Sequence, residues 1–242
     1  MIQFKNVYKS FGDKEVLKGI SFEVKKGEIL FILGTSGTGK SVLLKNIVGL
    51  LKPSRGEIWV DQQEVSRLTE RELFPIRKKC GMVFQHPALF DSLTIFENVA
   101  FGIRRHFQWG LEEIRKKVQE CLKAVHLGED IELKKPAQLS YGMQKRVSLA
   151  RTLAVGPEVL LYDEPTTGLD PVTTNAINLL IKELSEEFHV TSVVVSHDIQ
   201  CALDIAHRII FLDQGQIIEE GSPESIMKSS HPLVRSFLEE VV

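Results

Sequence analysis

Cysteine is scarce in this chain. Cys80, Cys121 and Cys201 stand far apart in 242 residues, with no CxxC pair. An odd, dispersed set excludes a disulfide scaffold and a zinc site built on paired cysteines, and it fits reduced thiols in a cytosol. Long apolar runs are also missing. The longest, such as Ile29–Leu33 and Val159–Tyr162, are strand-sized and far short of a membrane span. The opening residues alternate charged and apolar types without a signal-peptide core. Neither charge predominates: 30 Lys and Arg stand against 32 Asp and Glu, and no dense basic tract occurs. That balance argues against a nucleic-acid partner or an anionic-membrane surface. Internal repeats and low-complexity segments are absent too.

What is present suits a globular protein with a substantial core. Hydrophobic residues make up 43% and charged residues 26%, and the length suits one large domain or one domain with a sub-domain. The first part is β-rich: Ile2, Phe4 and Val7 lead to Phe11-Gly12-Asp13, followed by Val16-Leu17 and Ile20 to Val24, with turns at Gly12 and Lys26-Gly27. Ile29–Leu33 is apolar throughout, as a parallel strand buried on both faces should be. It feeds into Gly34 and a helical stretch with Val42, Leu43, Leu44 and Ile47. Residues 87–156 turn helical, with Ile114, Val118, Cys121, Leu122 and Val125 on one face. Two further buried strands are predicted at Val159–Asp163 and Thr191–Ser196, and a hairpin turns at Gln214-Gly215. The predicted fold class is α/β, a core with an N-terminal β portion and an inserted helical sub-domain.

The sharpest chemical signal is Gly34-Thr35-Ser36-Gly37-Thr38-Gly39-Lys40-Ser41, which satisfies GxxxxGK[ST] between a predicted strand and a predicted helix. Glycines let the backbone wrap closely around phosphate so that successive N–H groups point inward, and the following helix adds its positive end. Lys40 is expected to neutralise the β- and γ-phosphates of ATP, and the Ser41 hydroxyl to ligate Mg²⁺. Downstream, Asp163 and Glu164 end a buried strand, where a loop meets ligand in an open α/β sheet. Asp163 suits Mg²⁺ ligation, and Glu164 suits a general base or orienter for the attacking water. His197 follows another buried strand and, as a neutral donor, can contact the γ-phosphate and hold Glu164 in register. Gln85, after Met82-Val83-Phe84, is a weaker signal when taken alone.

In order along the chain, these segments resemble the ABC ATPase family. The defining stretch is Leu139-Ser140-Tyr141-Gly142-Met143-Gln144-Lys145-Arg146, similar to the LSGGQ signature. Val159–Asp163 with Glu164 resembles Walker B, Gly168-Leu169-Asp170 the D-loop, Gln85 the Q-loop and His197 the switch histidine. The resemblance implies a P-loop NTPase core with an antiparallel N-terminal β sub-domain and a helical sub-domain inserted at residues 87–156, all within a single domain spanning 1–242. It implies that Gly34 to Val42 bind ATP, with Ser41, Gln85 and Asp163 around Mg²⁺ and with Glu164, His197 and Gln85 acting in hydrolysis. It also implies a head-to-tail dimer with a second ATPase subunit, in which Ser140 and Gly142 of one chain face the ATP of the other. Ser140 stands where a helix begins, so its hydroxyl, the nearby N–H groups and the helix dipole can receive a γ-phosphate. By family position Phe11 stacks on adenine, with Tyr8 as the alternative, and either could belong to the core. Two departures stand out. Tyr141 replaces a glycine, which restricts the backbone there, and Met143 replaces a glutamine, trading an amide for a weak thioether acceptor.

The stretch from His86 to Phe101, Met143 after the signature glycine, and His231-Pro-Leu-Val-Arg-Ser-Phe237 resemble one branch of the family. That branch is the ATPase of lipid-asymmetry systems working with MCE-domain proteins. It implies a membrane permease partner, phospholipid cargo, and a peripheral position on the cytoplasmic side of the inner membrane. Ala88, Leu89, Phe90, Leu93, Ile95 and Phe96 offer an apolar patch that could receive a permease helix or simply pack the helical sub-domain. A polar amino-acid importer would use almost the same ATPase. A non-transport cassette acting on DNA or ribosomes is disfavoured by the charge balance and by the lack of a coiled-coil insertion. A module that binds ATP without cleaving it is disfavoured by Glu164 and His197.

Overall fold

The computed structural model describes residues 1–239. Strands β1 (Ile2–Phe11) and β2 (Lys14–Val24) pair antiparallel across the Gly12-Asp13 turn, and β1 also pairs with β4 (Arg55–Val60). Between them in the chain lie β3 (Ile29–Leu33) and α1 (Lys40–Ile47). The short β5 (Gln63–Glu64) closes an antiparallel sheet of order β2-β1-β4-β5. One face of that sheet is apolar: Ile2, Phe4, Val7, Leu17, Ile20 and Ile58 are buried, and the rings of Phe4 and Phe22 stack at 4.6 Å.

Next come α2 (Leu73–Lys79), β6 (Cys80–Val83), α3 (Ile95–His106), α4 (Leu111–Ala124) and α5 (Tyr141–Leu153). They are followed by β7 (Val159–Asp163), α6 (Pro171–Phe188), β8 (Thr191–Ser196), α7 (Ile199–Ile205), β9 (Arg208–Asp213) and β10 (Gln216–Gly221). The second sheet has the order β10-β9-β3-β8-β7-β6, with parallel pairing from β9 to β6 and β10 as an antiparallel edge.

Side chains alternate across a strand, so the uniformly apolar β3 serves two cores. Ile29, Phe31 and Leu33 join a cluster with α3, α4, α5 and α6, whereas Leu30 and Ile32 join the cluster formed by α1 and the antiparallel sheet. Helix α3 starts on a reciprocal capping box between Thr94 and Glu97. Its buried Asn98 accepts from the Phe90 N–H and donates to the Phe90 carbonyl, pinning the loop before it. Of the apolar stretch after Gln85, Ile95 is buried and Leu89 and Phe96 are partly buried. Phe90 and Phe101 are exposed and face each other at 4.7 Å. Beyond Gly221, α8 (Pro223–Ile226) and α9 (Pro232–Glu239) lie back on the protein, with Ile226, Val234 and Phe237 in the core and Phe237 edge-on to Phe211. Cys80, Cys121 and Cys201 are free and buried, and burial pushes all three thiols up, Cys80 to about 12 and Cys121 to about 11.

Candidate active site

The carboxyl ends of β3, β6, β7 and β8 point the same way, and the loops leaving them surround a cavity of about 590 Å³. It is lined by Ser36, Gly37, Gly39, Lys40, Ser41 and Val42 from the β3–α1 loop, and by Gln85, Glu164, Thr167, His197 and Val16. Gly39 caps α1 at φ +105°, which L side chains rarely adopt, and an added Cβ would meet Leu17 Cδ2 at 2.8 Å. Gly34 and Thr35 turn their carbonyls to the Lys40 ammonium, at 2.7 and 3.0 Å, and the Thr38 hydroxyl donates to the Thr35 carbonyl at 2.9 Å. The loop therefore wraps its own lysine, whose Nζ also lies 3.7 Å from the Glu164 carboxylate. Burial pushes Lys40 below its ordinary value, and the Glu164 and Asp163 charges only partly offset this.

Across the cavity the Ser41 hydroxyl donates to Asp163 Oδ1 at 2.7 Å. Glu164 has φ +50°, uncommon for a residue with a Cβ, and its N–H donates to the Val195 carbonyl at 2.9 Å. Its carboxylate meets His197 Nδ1 at 2.7 Å and accepts from the Thr167 hydroxyl at 3.3 Å. Burial acts to raise the Glu164 carboxyl, but His197, Lys40 and Thr167 together hold it below the usual range. The same hydrogen bond to Glu164 raises His197 against its partial desolvation. His197 thus carries a strengthened proton affinity.

Other expected residues lie elsewhere. Phe11 ends β1, is 47% exposed with the Lys9 ammonium 5.0 Å from its ring centre, and does not line the cavity. The Tyr8 ring is covered by the Arg55 guanidinium at 4.2 Å. Ser140 and Gly142 are outside this cavity, at the start of α5. There the Ser140 hydroxyl accepts from the Met143 N–H at 3.3 Å. Tyr141 begins the helix without a positive φ, a conformation that a residue with a side chain adopts readily. At Gly142 an added Cβ would meet Thr173 Cγ2 at 2.7 Å, so glycine lets α5 approach α6. Val16, Thr167 and the buried Lys145 escaped the sequence reading. Thr167 was detectable as a hydroxyl three residues past Glu164, whereas Val16 and Lys145 reach their places only through tertiary packing.

Among the described residues, no group of three His, Cys, Asp or Glu side chains could hold a metal alone, and no helix is long and apolar enough to cross a membrane. The family model described as "ABC transporter" matches residues 17–167. A protein of Haemophilus influenzae named "Intermembrane phospholipid transport system ATP-binding protein MlaF" is 42% identical over 98% of this chain and 90% of its own length. A "Methionine import ATP-binding protein MetN" of Carboxydothermus hydrogenoformans is 40% identical over 100% of this chain and 72% of its own. Among solved structures, the dimeric post-hydrolysis state of the ATP-binding cassette MJ0796 bound to ADP and Pi is 41% identical, with a TM-score of 0.84 over 92% of this chain and 99% of that one. The family match runs from the N-terminal sheet through the lysine cradle to the acidic pair, and the relatives extend it to nearly every residue. The chain therefore belongs to the ABC transporter family, as one of its ATP-hydrolysing cassettes.

Proposed function

We propose that this ATPase drives phospholipid movement in a system of the MCE-associated type, as one of two cassettes bound to a membrane permease at the cytoplasmic face of the inner membrane. The observation that carries the cargo is the 42% identity to the phospholipid-transport cassette across 98% of the chain. The exposed Phe90–Phe101 pair, just beyond Gln85 and on the side of the helical sub-domain, supports an apolar seat for a permease segment. The methionine-import relative, at 40% identity, favours a second reading in which the same motor serves a polar-solute importer.

In either system the chemistry at the cavity is the same. Phosphate oxygens take over the Lys40 ammonium from the Gly34 and Thr35 carbonyls, and the β3–α1 loop N–H groups turn toward them. The Ser41 hydroxyl and Asp163 carboxylate, already within hydrogen-bond reach of each other, are hard oxygen donors with Gln85 on the same cavity wall. They would hold a Mg²⁺ ion, which when bound would supply positive charge against that developing on the phosphates. Glu164 takes a proton from the attacking water, while His197 and Thr167 fix the orientation of its carboxylate. Ser140, Gly142 and the start of α5 lie outside the chain's own cavity and would meet the nucleotide of a head-to-tail partner cassette.

The test is purification of the cassette from solubilised native membranes, followed by identification of its companions and bound lipid. A permease, an MCE-domain protein and phospholipid are expected. A permease accompanied by a solute-binding protein would replace the cargo and leave the motor chemistry standing.

A further inference from the structure

Lys145 is the least expected cation in the molecule. It lies on α5, one turn past Tyr141, and is 2% exposed. A buried ammonium is normally paired with a carboxylate. This one instead donates to two backbone carbonyls, that of Gln85 at 2.5 Å and that of Pro165 at 2.8 Å. Its third side faces the Tyr141 ring, whose centre is 5.5 Å away. Gln85 follows β6, and Pro165 follows Glu164 at the end of β7, so a single charged group ties together the two loops that carry Gln85 and Glu164 into the cavity. Tyr141 reinforces the first loop: its hydroxyl donates to the Gln85 carbonyl at 3.4 Å and lies 3.1 Å from His86 Nδ1. Further along α5, the Arg151 guanidinium donates to the Ala88 and Pro87 carbonyls. Helix α5 therefore grips the chain from Gln85 to Ala88 along its length and reaches the Glu164 loop through the Lys145 ammonium.

We propose that Lys145 is a positioning residue for ATP hydrolysis: its ammonium holds the Gln85 and Pro165 carbonyls at a fixed separation and so makes the setting of Gln85 and Glu164 depend on where α5 sits. The start of α5 is the segment proposed to meet a partner's nucleotide, so the same ammonium relays α5's docked position to the chain's own hydrolytic groups. Desolvation lowers Lys145 to about 8, opposed by the Glu164 charge, which agrees with an ammonium held by carbonyls rather than by a counter-ion. The proposal rests on the reading of Glu164 and Gln85 as hydrolytic groups.

Steady-state ATPase kinetics on the full chain, with thermal unfolding as a companion measurement, test it. Lys145→Met keeps the length and packing of the side chain but removes every donor, whereas Lys145→Gln keeps an amide able to donate twice. Lys145→Met is expected to lower kcat by about tenfold or more while KM for ATP stays within about twofold, and Lys145→Gln to recover a substantial part of kcat. The proposal is overturned if Lys145→Met keeps wild-type kcat, if Lys145→Gln is no better than Lys145→Met, or if kcat, KM and Tm all deteriorate together, as loss of packing alone would cause. Glu164→Gln serves as the control. Full turnover in that variant would overturn the site reading and this proposal with it, whereas lost turnover there beside an active Lys145→Met would overturn the relay alone.

Discussion

Two helix starts are proposed to meet nucleotide, one in the chain's own cavity and one across a partner, and they are built oppositely. Helix α1 begins on Gly39 with no side chain capping it, and its first residue, Lys40, is buried in a loop of backbone carbonyls. Helix α5 begins on Ser140, whose own hydroxyl occupies the Met143 N–H, and its first residue, Tyr141, is 37% exposed. An uncapped helix start enclosed by a glycine-rich turn is prepared for an anion. A start already satisfied by its own serine is stable alone and meets a phosphate only by exchanging that bond. The α1 start is therefore enclosed within one chain, while the proposed α5 half of the site depends on a partner docking against it.

The largest expected effect tests the α1 half. Glu164→Gln removes the proton acceptor but keeps the shape of the side chain, so kcat should fall by about 10²- to 10⁴-fold, the usual scale for a general base, with ATP binding retained. NMR titration of His197 in the same variant should show its pKa dropping back toward 6.5, since the Glu164 hydrogen bond is what raises it. An unchanged His197 titration would mean that the 2.7 Å contact does not form in solution.

Next in size is the backing of the α5 half. Gly142→Val places a Cβ 2.7 Å from Thr173 Cγ2, so α5 must move off α6. A loss of about 1–3 kcal/mol in unfolding free energy is expected, the range for overpacking. Thr173→Ser deletes the offending methyl while keeping the hydroxyl that bonds Asp170, so the double variant should regain part of that loss. Equal loss in the single and double variants would place the strain elsewhere.

How much of this was legible beforehand follows from what each feature depends on. The cradle, the acidic pair and the two cores of the parallel sheet are local: a glycine spacing, a strand end, and apolar runs such as Ile29–Leu33 write them directly into sequence. His197 and Glu164 are 33 residues apart, yet both end neighbouring parallel strands, so their meeting follows once β7 and β8 are paired. What stayed hidden depends on how helices sit on the sheet. Val16 reaches the cavity because β2 passes beside Gly39. Nothing local marks Lys145, whose place follows from α5 lying against the loops after β6 and β7.

Ser140→Ala probes the self-capped start at a smaller scale. Loss of an N-cap hydroxyl costs about 1 kcal/mol, or roughly 2–4 °C in Tm for a chain of this size. Because Ser140 lies outside its own cavity, ATP affinity of the isolated chain should be unchanged while turnover at concentrations that favour pairing falls. Reduced ATP affinity in the isolated chain would erase the distinction between the two helix starts.

The smallest effect concerns the pH dependence of the α1 half. His197 is raised by Glu164, so its contribution to stability is full below its ordinary value of 6.5 and is lost as pH rises through the higher folded value. Glu164 is lowered, so its contribution is full above its ordinary 4.5 and is lost as pH falls through the lower folded value. Both are at full strength only between those two ordinary values. The His197 side chain is 63% exposed, and solvent screening keeps the pair weak. Urea midpoints of wild type and Glu164→Gln should therefore differ more at about pH 5.5 than at about pH 8.5. The part that survives at the higher pH belongs to Lys40 and Thr167, which still contact the carboxylate after His197 has lost its proton. An equal difference at the two pH values would mean that Lys40 and Thr167, rather than His197, hold Glu164 in its charged form.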